Sequence, residues 1–116
     1  MGFKLKDIST LLDCKVIYGE ELLELDIKHC FCADLMSDVL AYTKADTLLL
    51  TGLTNTQSVR TAHVADIKAI IYLRGKIPDK TAIDCAKEKR IPLLTTNYHT
   101  ISACGILYKN DLIEDF

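Results

Sequence analysis

Apolar positions follow two spacings along this chain, and the second half displays both most clearly. Three short apolar runs end in glycine or polar residues, at residues 47–52, 69–75 and 91–97. Uninterrupted runs of this length are typical of strands that are covered on both faces, as in a parallel sheet. After each run, apolar residues recur at helical spacing, in residues 55–67, in 79–90 and from about residue 97 onward. The pattern therefore predicts three consecutive strand–helix units.

This alternation determines the expected fold class. A strand, a crossover helix and a parallel strand connect with right-handed geometry, so the repeat predicts an α/β fold with a small, mostly parallel sheet and helices on both faces. Pro78 and Asp79 mark the entry to the second helix, since proline is favoured at a helix start. The third helix is expected to carry Ile101, Cys104 and Tyr108 on one face.

The first 25 residues have a weaker pattern. Leu5, Ile8 and Leu12 share one face at helical spacing, which predicts a short amphipathic helix. Lys15–Tyr18 is rich in strand-forming residues and stops at Gly19, so we expect a strand and a turn there. The next few residues, 20–25, fit either one helical turn or a loop.

The segment that follows predicts one strand and one helix. We expect a single strand over residues 26–32. Its alternation places Ile27, His29 and Phe31 on one face and Lys28, Cys30 and Cys32 on the other. A helix is expected to follow through residues 35–42. Asp34 and Ser37 are the residue types that cap a helix start, and we expect them to do so here.

Composition and charge indicate the size, the binding partners and the location that we expect for this protein. The chain has 116 residues, nearly half of them apolar, which is enough for one domain that spans residues 1–116. Its 14 basic and 16 acidic residues form no long run, so we expect no nucleic-acid partner. It has neither a secretory signal nor an apolar stretch long enough to span a bilayer. We therefore expect a cytoplasmic protein without a membrane partner.

The five cysteines predict no disulfide framework and no metal site. Their count is odd and their spacing scattered, and in a cytosolic chain they are expected to be reduced and buried as small apolar side chains. Cys30 and Cys32 have nearly the spacing of a zinc pair, but no second pair follows. A redox-sensing thiol is the alternative, and it requires an exposed cysteine. We expect neither a metal nor a cofactor.

Polar residues follow each of the three apolar runs, where ligands bind in open α/β sheets. Residues 51–56 also open a helix, whose backbone N–H groups and dipole favour an anion. Lys76 and Arg60 could add positive charge. The alternative is that residues 54–56 only cap the helix and that the glycines only end strands. The expected binding residues for a small anionic metabolite or nucleotide are Thr51, Gly52, Thr54, Asn55, Thr56, Arg74, Thr95 and Thr96.

No complete catalytic motif occurs in the sequence. It contains no phosphate-binding P-loop, no dinucleotide-binding glycine motif and no nucleophile elbow. A small enzyme would have to use His63 or His99 with a threonine or cysteine nucleophile. We therefore expect no catalytic residues and a chain that is not an enzyme.

Several segments together resemble the DRTGG domain, which is related to the N-terminal domain of HPr kinase/phosphorylase. They comprise Leu-Thr-Gly at 50–52, Ile-Ile-Tyr-Leu-Arg-Gly at 70–75, the helix-to-strand segment 86–96, Tyr-His-Thr at 98–100 and residues 33–40. The Asp-Arg-Thr-Gly-Gly signature itself is absent, and residues 53–57 occupy its place. The resemblance implies a small α/β module, often fused to kinase, phosphotransacetylase or CBS modules and associated with regulation and dimerisation.

Three hypotheses about function follow. The first is a stand-alone regulatory or ligand-sensing module, forming a homodimer and binding a small anionic ligand. The second is an interaction module that binds a protein partner and no small ligand. The third is the small enzyme built on His63 or His99. Fold alone does not decide among them.

Overall fold

A computed structural model describes residues 3–112 of the chain. Seven strands and five α-helices follow each other along it. The strands are β1 (Phe3–Lys4), β2 (Lys15–Tyr18), β3 (Asp26–Ile27), β4 (His29–Cys32), β5 (Thr47–Thr51), β6 (Ala69–Tyr72) and β7 (Leu93–Thr95). The helices are α1 (Leu5–Leu11), α2 (Met36–Tyr42), α3 (Thr56–Val64), α4 (Lys80–Lys89) and α5 (Thr100–Lys109). A short 3-10 helix, Glu20–Leu22, occupies the segment whose sequence fitted either one helical turn or a loop.

The main sheet has five strands in the order β2-β7-β6-β5-β4. Strands β4, β5, β6 and β7 run parallel, whereas β2 pairs antiparallel with β7. A separate two-stranded sheet joins β1 to β3. The expected mostly parallel α/β sheet, with strand–helix units in the second half, is confirmed.

Helices cover the sheet on both faces because its central strands are apolar on both faces. Leu48 and Leu50 of β5 pack with α1 and α5, which contribute apolar side chains such as Leu5 and Leu107. Leu49, between them, points to the opposite layer, where α2, α3 and α4 pack. All three leucines are fully buried. At about 1.5–3 kcal/mol per fully buried leucine, strands of this kind contribute strongly to the stability of the fold.

The single strand expected over residues 26–32 is wrong, because the chain breaks it at Lys28. The backbone N–H groups of Lys28 and His29 both donate to the carbonyl of Asp46, at 2.9 and 3.3 Å. This break shifts the alternation by one residue. Ile27 consequently faces the same layer as the two cysteines of β4, while Phe31 faces the other layer.

Two expectations about helices also need correction. Helix α2 starts after Leu35 without any side-chain cap, so neither Asp34 nor Ser37 caps it. Ile101 and Tyr108 do share a face of α5, but that face is exposed. The buried positions of α5 are Ala103 and Leu107. No helix in the described part of the chain is long and apolar enough to cross a membrane.

Glycine is required at one turn of this fold and dispensable in one helix, which gives a matched test. A Cβ at Gly19, where φ is +100°, would lie 2.8 Å from Cβ and 3.0 Å from Cα of Pro92, whereas a Cβ at Gly105 meets nothing within 4 Å. We expect Gly19→Ala to lower the free energy of unfolding by about 2 kcal/mol or more. Gly105→Ala should raise it by about 0.5–1 kcal/mol, because glycine weakens helices.

Urea unfolding of both variants measures the difference. A Gly19→Ala protein as stable as the wild type would contradict the close packing of this turn against Pro92.

Candidate functional site

The carboxyl ends of β4, β5 and β6 bring charged and polar groups together at one edge of the sheet. We call this region the polar edge and define it by Asp34, Thr51, Gly52, Arg74 and Lys76. Asp34 lies in the loop after β4, Thr51 ends β5 and Gly52 follows it, and the two basic residues follow β6. Parallel pairing aligns these strand ends, since Cys32 is in register with Leu50, and Thr51 with Tyr72.

Asp34 ties two neighbouring strand ends together. Its Oδ1 atom accepts hydrogen bonds from the backbone N–H of Gly52 at 2.7 Å and from the hydroxyl of Thr51 at 2.9 Å. The Gly52 bond, then the Thr51 hydroxyl and the charges of Arg74 and Lys76, lower the pKa of the carboxyl against the opposing effect of burial. The carboxylate is therefore held ionised at the polar edge.

Gly52 is the point on which two cationic groups converge. The Lys76 ammonium donates to the Gly52 carbonyl at 3.1 Å. A Cβ built on Gly52 would lie 2.6 Å from Nη2 of Arg74 and 3.5 Å from Nζ of Lys76. The absence of a side chain therefore lets the guanidinium lie against the backbone. The two cationic groups are no more than about 6 Å apart, a distance at which like charges repel.

The loop that carries Arg74 is held in an unusual conformation. Arg74 and Gly75 both have left-handed φ angles, +59° and +68°. Such a conformation costs a residue other than glycine about 1–2 kcal/mol, and strain of this kind concentrates at ligand sites. The N–H of Arg74 donates to the Tyr98 carbonyl at 3.0 Å, and that of Gly75 to the Thr96 carbonyl at 2.8 Å. The loops after β6 and β7 are thus bound to each other.

The buried threonines at the strand ends use their hydroxyls within the protein. Thr95 donates to the carbonyl of Lys76 at 2.7 Å, which fixes the loop that carries Lys76. Thr96 donates to the carbonyl of Leu12 at 2.6 Å, at the end of α1. Both side chains are buried. Their hydrogen bonds hold the loops of the polar edge in place. A hydrogen bond from Arg74 Nη1 to the Thr100 hydroxyl, at 3.5 Å, connects the polar edge to the start of α5.

Residues 54–56 lie at the start of α3, next to Gly52. Asn55 is the N-cap residue, but its side chain makes no capping hydrogen bond. The Thr56 hydroxyl donates to that of Thr81 on α4 at 2.7 Å, and the Thr54 carbonyl accepts from the N–H of Asp79 at 3.0 Å. If residues 54–56 served only to cap the helix, the Asn55 side chain would accept a hydrogen bond from a backbone N–H of the first turn. That hydrogen bond is not formed.

Of the two histidines considered for catalysis, His63 lies apart from the polar edge and His99 lies at its rim. His63 is exposed and lines an open groove of about 800 Å³ between α3 and α4, together with Arg60 and Cys85. His99 is exposed at the N-cap of α5. In residues 3–112 neither imidazole is held against a nucleophile. The same residues contain no group of three or more His, Cys, Asp or Glu side chains arranged to hold a metal ion.

Comparison with known families decides the relationship of the chain. The profile of the DRTGG domain matches residues 7–109, which is most of the sequence. The chain belongs to the DRTGG domain family. A comparison of this DRTGG domain with curated proteins gives no match.

One solved structure has a fold similar to this DRTGG domain. It contains the CBS and DRTGG domains of the regulatory region of Clostridium perfringens pyrophosphatase, complexed with its activator, diadenosine tetraphosphate. The TM-score is 0.73 at 18% sequence identity, and the match covers 90% of this chain but 45% of that one. The DRTGG domain described here thus spans less than half of the neighbour's length, and the likeness establishes the fold.

The sequence of this DRTGG domain did not predict the full role of two residues of the polar edge, Asp34 and Lys76. Asp34 was expected to cap a helix, because its position before an apolar helical segment fits a cap equally well. Its partners, Thr51 and Gly52, come from another strand. Lys76 was considered only as added charge, but its ammonium contacts Gly52 directly. A basic residue placed soon after a buried strand was the available indication for both Arg74 and Lys76.

Asp34 offers a test of how the polar edge is held together. We expect Asp34→Asn to lower the free energy of unfolding by about 1 kcal/mol at neutral pH, a low value for bonds to a charged group because this carboxylate is exposed. Since the folded-state pKa is lowered, the stabilisation is present above the unfolded pKa of about 3.9 and is lost as the pH falls through the folded pKa.

Urea unfolding at a series of pH values from about 3 to about 7, which brackets the ordinary carboxyl pKa, measures this effect. Asp66→Asn is the matched control, because Asp66 is exposed and its left-handed φ of +61° suits asparagine equally well. Equal effects of the two substitutions, or an Asp34 effect that does not depend on pH, would argue against the bonds to Gly52 and Thr51.

Proposed function

We propose that this chain is a non-catalytic regulatory module that senses a small anionic ligand at the polar edge. The observation that carries the proposal is the convergence of Arg74 and Lys76 on Gly52, opposite the carboxylate of Asp34. Two cations held so close together repel each other, and one carboxylate offsets only part of that repulsion. A phosphate group accepted by both would relieve it, and guanidinium groups bind phosphate oxygens well.

The helix starts at this edge support the same class of ligand. Helices α3 and α5 begin there at Asn55 and His99, without a side-chain capping bond and without an acidic residue in the first turn. Their exposed N–H groups and dipoles therefore add positive potential beside Arg74. Besides Asp34, Asp79 at the start of α4 brings a carboxylate near the first turn of α3, because its N–H is bonded to the Thr54 carbonyl.

The expected binding residues take different roles in this proposal. Arg74 contacts the anion, and the first turn of α3 presents backbone N–H groups of Asn55 and Thr56, with Thr54 behind them. Gly52 provides the space in which the guanidinium lies. Thr51, Thr95 and Thr96 are buried and use their hydroxyls to position the loops, so we assign them support and no direct contact with the ligand.

We propose a nucleotide as the ligand class. The solved regulatory region with a similar fold was crystallised with diadenosine tetraphosphate, an anion with several phosphates. The exposed ring of Tyr98, beside the loop of Arg74, offers an aromatic surface for a base. We further propose a single domain over residues 1–116, a cytoplasmic location and a relationship to the N-terminal domain of HPr kinase/phosphorylase.

Arg74→Gln tests the proposed site with calorimetric titration of diadenosine tetraphosphate, ATP and inorganic triphosphate into the full chain. We expect the affinity of the best ligand to fall about tenfold or more, because a charge-assisted hydrogen bond of about 1.5–3 kcal/mol is lost. Arg60→Gln is the matched control, since Arg60 is exposed on α3 in the groove toward α4. It should leave the affinity unchanged.

Gly52→Ala provides a second variant for the same site. Its Cβ would displace the flexible end of Arg74, so binding should weaken while the free energy of unfolding changes by less than about 1 kcal/mol. If none of the three phosphates binds at millimolar concentration, or if Arg60→Gln matches Arg74→Gln, the sensing proposal fails.

Homodimer formation is the second candidate function, and one exposed apolar face of α5 favours it. Ile101 is 84% exposed and Tyr108 71% exposed, and they lie two turns apart on the same face of α5. Gly105 between them leaves room for close approach of another surface. We propose that this face packs against its copy in a second chain, since exposed apolar patches mark interaction sites.

Sedimentation equilibrium tests the dimer. The wild type should dimerise, and Ile101→Glu should weaken self-association at least about tenfold, as expected when a charge replaces an apolar interface residue. Val64→Glu serves as control, because Val64 is 74% exposed but lies on α3. A monomeric wild type, or the same loss in the control, would count against this interface.

A further inference from the structure

A small cavity opens beside the polar edge, between the end of α1 and the loop after β7. Its volume is about 260 Å³, and it is lined by Leu12, Asp13, Asn97 and Tyr98. We call it the base cavity. Pockets that hold a whole drug-sized molecule measure about 300–1,000 Å³, so this one has room for a single ring system and not for a complete nucleotide.

Hydrogen bonds fix the base cavity next to the polar edge. The Thr96 hydroxyl donates to the Leu12 carbonyl at 2.6 Å and so joins the two walls of the cavity. The N–H of Arg74 donates to the Tyr98 carbonyl at 3.0 Å. The loop after β7 therefore borders the base cavity on one side and contacts the loop of Arg74 on the other. A ligand with an anionic group at Arg74 can extend a ring into the cavity.

The walls of the base cavity suit a flat, largely apolar group. Leu12 is fully buried and forms part of the lining, and the Tyr98 ring, 40% exposed, provides an aromatic surface. Aromatic rings favour offset stacking with other flat ring systems, and nucleobases stack on tyrosine in this way.

Two polar side chains of the lining are available to read the edge of such a ring. Asp13 and Asn97 are exposed, and neither side chain forms a hydrogen bond or ion pair with another residue within residues 3–112. A carboxylate only accepts hydrogen bonds, whereas a carboxamide also donates them. The amide oxygen of Asn97 lies against Gly75, where a Cβ would be 2.8 Å from it. A ring that presents an N–H donor beside an acceptor complements this pair.

We infer that the base cavity is the base subsite of the polar edge and that it selects a nucleobase with an amino group beside an unprotonated ring nitrogen, as in adenine. The inference rests on the proposed binding of a nucleotide phosphate by Arg74. The amino group donates to the Asp13 carboxylate, and the neighbouring ring nitrogen accepts from the Asn97 amide. Hypoxanthine reverses this pattern, because its carbonyl oxygen would face the carboxylate and its N–H the amide donor.

Calorimetric titration into the full chain tests the inference with four probes: ATP, purine riboside triphosphate, inosine triphosphate and inorganic triphosphate. The purine analogue differs from ATP only in lacking the amino group. We expect ATP to bind about tenfold or more tightly than the analogue, because a hydrogen bond to a charged group is lost, and inosine triphosphate to bind no better than the analogue.

Two variants assign this selectivity to the base cavity. Asp13→Gly should make ATP and the purine analogue bind equally, and the left-handed φ of +49° at this position suits glycine. Tyr98→Ser should weaken ATP about fivefold or more, through lost stacking, without changing the affinity for inorganic triphosphate.

Matched controls come from exposed residues elsewhere on the surface. Asp66→Gly removes a carboxylate at a φ of +61°, and Tyr42→Ser removes a ring that is 61% exposed on α2; both should keep the wild-type selectivity. Equal affinities of the wild type for ATP and the purine analogue, or selectivity that survives Asp13→Gly, would overturn the base subsite. If inorganic triphosphate still binds in an Arg74-dependent way, the sensing proposal stands without it, whereas no binding of any probe refutes both.

Discussion

Complete burial of the central strands is the constraint on which the rest of this structure depends. Leu48, Leu49 and Leu50 of β5 alternate between two layers and are excluded from solvent on both. A strand of this kind can be covered only if helices lie on each face of the sheet, which parallel crossovers provide. The same crossovers bring the strand ends to one edge, and the groups that the core cannot accommodate gather there.

Gly52 shows how that edge is organised at the level of single atoms. Its N–H is bonded to Asp34 and its carbonyl to Lys76, so a carboxylate and an ammonium satisfy the two peptide groups on either side of its Cα. The guanidinium of Arg74 fits beside it only because no Cβ is present. The polar edge is therefore an electrostatic arrangement around a piece of backbone, in which side chains from two loops depend on one residue.

The sequence was most informative where local pattern and tertiary structure agree. The strand–helix units of the second half were predicted because their apolar runs are long and their helices periodic. The break at Lys28 could not be predicted, since it arises from hydrogen bonds to the carbonyl of Asp46 in another segment. The exposed face of α5 was not apparent either, because Ile101 and Tyr108 are as apolar as core residues and small Ala103 packs inward instead.

The candidate site was likewise predictable in its location but not in the pairing of its residues. That polar residues after β5, β6 and β7 share an edge follows from strand direction, which the sequence pattern indicates. The roles within that edge depend on partners distant in sequence: Asp34 bonds to Thr51, and the Thr96 hydroxyl to Leu12. Sequence spacing does not contain such pairings.

The antiparallel strand β2 has a consequence for the order in which the fold is made. It lies near the beginning of the chain, yet its partner in the sheet is β7, with Val16 opposite Leu94. During synthesis, more than 70 further residues must leave the ribosome before β2 has a strand to pair with, and contacts of such long sequence separation slow folding. The nascent chain can meanwhile assemble β4, β5 and β6 in order, because each finds its neighbour as soon as it emerges. Strand β2 is thus the last of the five strands to be incorporated into the main sheet, although it is translated before the other four.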